Sequence, residues 1–152
     1  MNMSYPVSLK FYKGGQVGAF FADVPEAITA GTDQAEALDR AQDALTVALS
    51  GYLDDGRPLP LPSKAKHGQV MVVLPPRAAI KLALHAAMCE QGATQARFGE
   101  LLGIDGRQVR RMLDLDHESK LSQLEAALAA LGLRASVNVA KISPRAASLA
   151  AR

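Results

Sequence analysis

Arg107, Gln108, Arg110 and Arg111 put four long hydrogen-bonding side chains, three of them cationic, into five residues. Arginine carries a planar fork that fits O6 and N7 of guanine, and glutamine fits N6 and N7 of adenine. Both also hold phosphate oxygens, the commonest protein–DNA contact. The chemistry on offer is therefore nucleic-acid recognition, with Arg107 and Gln108 as base readers and Arg110 and Arg111 directed to bases or phosphate. Gly106 opens the same stretch. Thr94, Gln95 and Arg97 begin the preceding segment, where a hydroxyl, an amide and free helix N–H groups suit a phosphate backbone. The competing reading is a helical hairpin with a solvated basic face, since arginine clusters are common on exposed helices.

Other reactive residue types do not gather into a catalytic set. A metal-dependent nuclease needs several carboxylates converging on metal ions, and the N-terminal strands offer only Asp23 and Glu26 beside a turn. Asp23 reads as a turn former or partner contact. His67, His85 and His117 fall in separate segments without metal-ligand spacing. His85 sits amid an apolar helical face, as a core or interface residue. Cys89 is the single cysteine; it excludes an internal disulfide and a thiolate zinc site, and it reads as a buried helical cysteine. Lys13-Gly14-Gly15-Gln16 is a hairpin turn, because no phosphate-loop lysine and serine follow. No metal, cofactor or enzymatic activity is expected.

The elements that present the basic cluster are legible. Thr94 to Leu102 and Asp105 to Leu113 read as two helices around a tight turn. Gly99 lies where they cross, Gly103 takes the left-handed turn position, and Asp105 caps the second helix. Phe98, Leu102, Ile104, Val109 and Met112 fill the wedge. This spacing is that of a helix-turn-helix, whose second helix enters the major groove. Helices at Arg77 to Glu90 and Glu118 to Leu131 flank it, with Gly92 and Gly132 as stops. Arg134 to Ala140 alternates and is a candidate terminal strand, and Leu133 to Ala140 is a candidate for strand pairing between copies.

The first half alternates with a period of two. Tyr5 to Tyr12, Val17 to Val24 and Glu26 to Ala30 read as three strands. Asp33 and Glu36 open a helix as a capping box, whose apolar stripe is Leu38, Ala41, Leu45, Ala48, Leu49 and Tyr52. Pro58, Pro60 and Pro62 make the following connector extended. Gln69 to Leu74 is a fourth strand, and Pro75-Pro76 marks a boundary. The expected fold class is α+β: a βββαβ unit over 1–74, an all-α helix-turn-helix unit over 76–140, and a flexible tail over 141–152.

Residues 1–62 hold four Lys/Arg against eight Asp/Glu, while 63–152 hold thirteen against seven. An acidic module that meets a basic protein and a basic module that meets phosphate fit this split. Apolar residues make up 49% and charged residues 21% of the 152, a globular balance. No run suits a membrane span or a secretory signal, and a reducing cytoplasm is the expected compartment. A two-fold operator implies a homodimer or higher homo-oligomer.

Tyr5-Pro6, Phe21-Ala22-Asp23-Val24-Pro25, Thr29-Ala30-Gly31, Glu36-Ala37-Leu38 and Pro58 to Ser63 occur in an order that resembles HicB-type antitoxins of bacterial type II toxin–antitoxin pairs. The second half resembles Cro/repressor-like domains that many such proteins carry. The resemblance spans roughly 5–139. It implies a partial RNase H-like N-terminal fold without nuclease activity, neutralisation of a small HicA-type mRNA-cleaving ribonuclease toxin, and autorepression through operator DNA. Phe21, Asp23 and Glu26 are the candidate toxin contacts. Ala22 stands where the family usually has proline, and Glu26 where glycine is common. The alternative is a stand-alone transcription regulator whose N-terminal unit senses a ligand.

Overall fold

The computed structural model describes residues 3–141. β1 (Ser4–Phe11) and β2 (Val17–Phe21) form an antiparallel hairpin with Val7 opposite Phe21 and Leu9 opposite Ala19. Gly14 and Gly15 close it at φ 102° and 92°, a region that only glycine enters without strain. β3 (Ile28–Gly31) pairs with β2, and β4 (Val70–Val73) pairs with β1, both antiparallel. The sheet order is β3-β2-β1-β4. β2 ends at Phe21, short of the expected Val24, because the chain turns there and the Ala27 N–H reaches the Val24 carbonyl at 2.9 Å.

α1 (Gln34–Asp54) covers one face of the sheet, with Ala37, Ala41, Leu45 and Leu49 buried. Their regular spacing of four makes one stripe, and the sheet offers Tyr5, Val7, Ala19, Phe21 and Val72 to it. Asp33 caps the helix by accepting from the Glu36 N–H at 2.9 Å. The Glu36 carboxylate reaches one residue further back, to the N–H and hydroxyl of Thr32, both at 2.6 Å. These bonds, with Arg40 beyond them, hold its carboxyl below the usual range. Gly31 is a contact glycine: a Cβ there would collide with the Ala37 backbone nitrogen.

α2 (Pro76–Glu90), α3 (Gln95–Leu102), α4 (Gly106–Leu113) and α5 (Leu121–Ala130) complete the described chain. Phe98, Val109, Leu113, Leu124, Ala127 and Leu128 gather with Leu84, Ala87 and Met88 of α2 into a second core. α2 serves both cores, because Leu82 lies fully buried in the first. Leu115, just past α4, also packs against the first core.

Three further expectations change. α5 begins at Leu121 and not at Glu118. Cys89 is exposed and not buried; it lies near the end of α2, past Met88, the last residue of that helix in the second core. Residues 134–140 form no strand, and Val137 and Val139 are 77% and 88% exposed. Alternation suffices for a strand only where a neighbour takes its N–H and C=O groups, and no described strand lies beside this segment. Of the tail expected over 141–152, residues 142–152 lie outside the described residues.

Candidate functional site

α3 and α4 are eight residues each and meet at a turn that begins on Gly103, φ 64°. Their approach leaves no space at Gly99, where a Cβ would stand 2.8 Å from the Ile104 carbonyl oxygen and 3.2 Å from Val109 Cγ2. Val109 and Leu113 are the buried residues of α4. At 100° per residue, the face opposite them is led by Arg107 and Arg111, with Gln108 and Arg110 on its flanks. All of these, with Gly106, are exposed, as are Thr94, Gln95 and Arg97. Among the described residues no ion pair takes up Arg97, Arg107, Arg110 or Arg111, whereas Arg40, Arg57 and Arg77 are paired. The site is a cationic surface with its charge unspent.

Two of the expected contact residues also hold their own helices. The Thr94 hydroxyl oxygen accepts from the Arg97 N–H at 3.2 Å. Gln108 and Asp105 form a reciprocal capping box: Asp105 Oδ1 accepts from the Gln108 N–H at 2.8 Å, and Gln108 Oε1 accepts from the Asp105 N–H at 3.1 Å. A bidentate adenine contact needs both ends of the glutamine amide. In this conformation the oxygen end is occupied, so Arg107 is the freer of the two proposed readers.

The C-terminal end of α4 is held from α2 by two residues one helical turn apart. Lys81 is fully buried. Its ammonium donates to the carbonyls of Asp114 at 2.6 Å and His117 at 2.5 Å, with a longer contact to Arg111 at 3.5 Å. Burial lowers its pKa, against the opposing pull of Asp114. His85 Nε2 lies 3.3 Å from the Leu113 carbonyl. Burial pushes its pKa below the ordinary 6.5, while the Leu113 contact and Asp54 of α1 act the other way. The expected core or interface role of His85 fits this half-buried place. Lys81 was not singled out from sequence; its signal was a cation inside the apolar run Ile80-Lys81-Leu82.

The N-terminal candidates occupy a clamp on the proline-rich connector. Asp23 accepts from the N–H and hydroxyl of Ser63 at 2.9 and 3.0 Å. Glu26 accepts from the Tyr52 hydroxyl at 2.9 Å and from Arg57 at 3.0 Å, and Arg57 stacks on the Tyr52 ring at 3.8 Å. The Glu26 carboxyl lies below the usual range through its own backbone N–H first, then Tyr52 and Arg57. Tyr5 donates to the Pro60 carbonyl at 2.9 Å, and burial, helped by Asp23, pushes its pKa up to about 12. Phe21 is 3% exposed and belongs to the core. A buried ring offers a partner no area, so Phe21 leaves the candidate contact set, whereas Asp23 and Glu26 stand at the surface with structural partners of their own.

A family model for the HicB-like antitoxin of bacterial toxin–antitoxin systems matches residues 4–83. That match runs past Pro75 into α2, as far as Ala83, and so takes in Leu82 of the first core. The chain is 37% identical over 131 residues to antitoxin HicB 2 of Photorhabdus laumondii, covering 86% of this chain and 92% of that protein. It is 33% identical over 130 residues to antitoxin HicB of Escherichia coli K12, covering 86% and 94%. It is 37% identical over 126 residues to antitoxin HicB of Pseudomonas fluorescens, covering 82% and 86%. With its four-stranded sheet, its helical second half and these relatives, the chain belongs to the HicB-like antitoxin family of bacterial toxin–antitoxin systems.

Proposed function

We propose that this chain is a two-ended antitoxin: the sheet unit over 1–74 binds and blocks a HicA-type ribonuclease toxin, and the helical unit over 76–140 binds operator DNA and represses its own operon. The DNA half is carried by the unpaired cationic face of α4. Arg107 and Arg111 lead that face, Gln108 and Arg110 flank it, and Gly106 lets the backbone come close. Thr94, Gln95 and Arg97 at the start of α3 hold the DNA backbone. The turn geometry at Gly99, Gly103 and Asp105 supports a helix-turn-helix reading, in which α4 enters the major groove.

The toxin half rests on family membership and on charge. An acidic sheet unit complements a basic, RNA-binding ribonuclease. Asp23 and Glu26 serve it by shaping the connector edge and adding negative charge. The chain acts without catalysis of its own and pairs with a second copy, because one such unit covers half of a two-fold operator. Its working compartment is the cytoplasm, where mRNA and operon DNA are both found. Among the described residues no helix is long and apolar enough to cross a membrane.

Co-purification with the product of the neighbouring gene, followed by a mobility-shift assay on the DNA upstream of the pair, tests both ends. The expected result is a stable complex with a small basic protein and a specific shift. A chain that neither retains that protein nor shifts that DNA contradicts the proposal.

A further inference from the structure

We propose that Lys81 is the positioning residue of the reading helix, setting the angle at which α4 presents Arg107 and Arg111 without touching DNA itself. The inference deepens the DNA-binding role proposed for α4 and rests on it. A helix leaves its last carbonyls without intrahelical partners and carries partial negative charge there. At α4 a cation from another helix is set against that end. The Lys81 ammonium has three N–H donors and meets three carbonyls, from Arg111, Asp114 and His117. It thereby holds the turn that follows α4 through the two short bonds, to Asp114 and His117, and reaches the last turn of the helix through the longer 3.5 Å contact to Arg111.

The opposite end of α4 is fixed independently, by the Asp105–Gln108 box and by the close contact of Gly99 with Ile104 and Val109. A helix of eight residues is about 12 Å long. If the Lys81 end loosens, a tilt of roughly 10° about the fixed N-terminal end moves the far end of α4 by about 2 Å and the Arg111 position by about 1 Å, outside the ~0.5 Å tolerance of a placed contact. The anchor is itself rigid. Lys81 is fully buried, and its neighbour Leu82 is locked in the first core. The pose of the reading helix is therefore referred to a helix that both cores share.

The test compares the full-length chain with Lys81→Met, Lys81→Arg and Arg107→Ala. The probes are a fluorescent duplex of the DNA immediately upstream of the gene and a scrambled duplex of the same composition. Circular dichroism melting sets an assay temperature at which each chain is folded. All phosphate-binding arginines remain in the Lys81 variants, so binding to scrambled DNA and its salt dependence should stay as in the wild type. Affinity for the upstream duplex should fall at least tenfold in Lys81→Met. It should fall at least threefold in Lys81→Arg, whose wider planar head displaces the carbonyls while keeping the charge. A folded Lys81→Met chain with wild-type preference for the upstream duplex overturns the proposal. If Lys81→Met does not fold, Lys81→Arg decides alone, and its wild-type preference overturns the proposal equally. Should Arg107→Ala also bind as the wild type does, the reading role of α4 has failed, and the Lys81 proposal falls with it. Loss in Arg107→Ala beside wild-type behaviour in both Lys81 variants removes the Lys81 proposal alone.

Discussion

At the scale of single residues, the structure separates side chains that hold the fold from those left to meet a partner. Gly99 holds it. The Cβ of alanine would press on the Ile104 carbonyl at 2.8 Å, so Gly99→Ala should cost about 1–3 kcal/mol, as overpacking of a tight contact does. The check is the melting temperature of the full chain. An unchanged value contradicts the crossing geometry. His85 gives a pH signature. Its folded pKa lies below the ordinary 6.5 because burial disfavours the charged ring. The unfolded chain then binds a proton that the folded chain refuses. Stability is full above pH 6.5, falls as pH drops through that value, and levels off below the folded pKa. His85→Gln, whose amide can still donate to Leu113, should flatten the melting temperature over that window. A mutant with the wild-type slope would assign it elsewhere.

At the scale of elements, the connector from Arg57 to Lys66 is the part whose order sequence reading understated. Its alternating prolines foretold an extended path, but not that Tyr5, Asp23 and Glu26 reach across from the sheet and the turn after β2 to hold it. Those partners are separated by 31 to 55 positions, beyond any local pattern. Tyr5→Phe removes the Pro60 bond while keeping the buried ring. It should cost about 1 kcal/mol, readable as a lowered urea midpoint with an unchanged slope. Wild-type behaviour would show the clamp to be idle. The strands, α1 and the α3–α4 turn were legible because period and capping are local signals. The segment 134–140 shows the limit of such signals: it forms no strand within the single chain, since alternation says nothing about whether a neighbouring strand exists. In the candidate site, the arginines were legible by type and spacing. Lys81 was not, because its meaning depends on carbonyls some thirty residues away.

At the scale of the whole molecule, Pro75-Pro76 marks a change of structure without marking the edge of the first core. Leu82 fills that core from α2. A fragment ending at residue 74 should therefore melt lower than one ending at 91, because truncation uncovers apolar surface that Leu82 and its neighbours cover. Equal melting temperatures would show the sheet unit to be self-sufficient. The same shared helix carries Lys81, so the proposed reading surface and the sheet unit hang on one rod.

The twenty residues from Thr94 to Leu113 carry the proposed DNA contact. Its most direct test is an anisotropy titration of the upstream operon DNA with the wild-type chain and with an Arg107→Ala, Arg111→Ala double variant. Toxin inhibition is measured on the same preparations. Each lost bidentate base contact is worth about 1–3 kcal/mol, so operator affinity should weaken by well over tenfold while the double variant still blocks the toxin's RNA cleavage. A double variant that binds the operator as tightly as the wild type would contradict it.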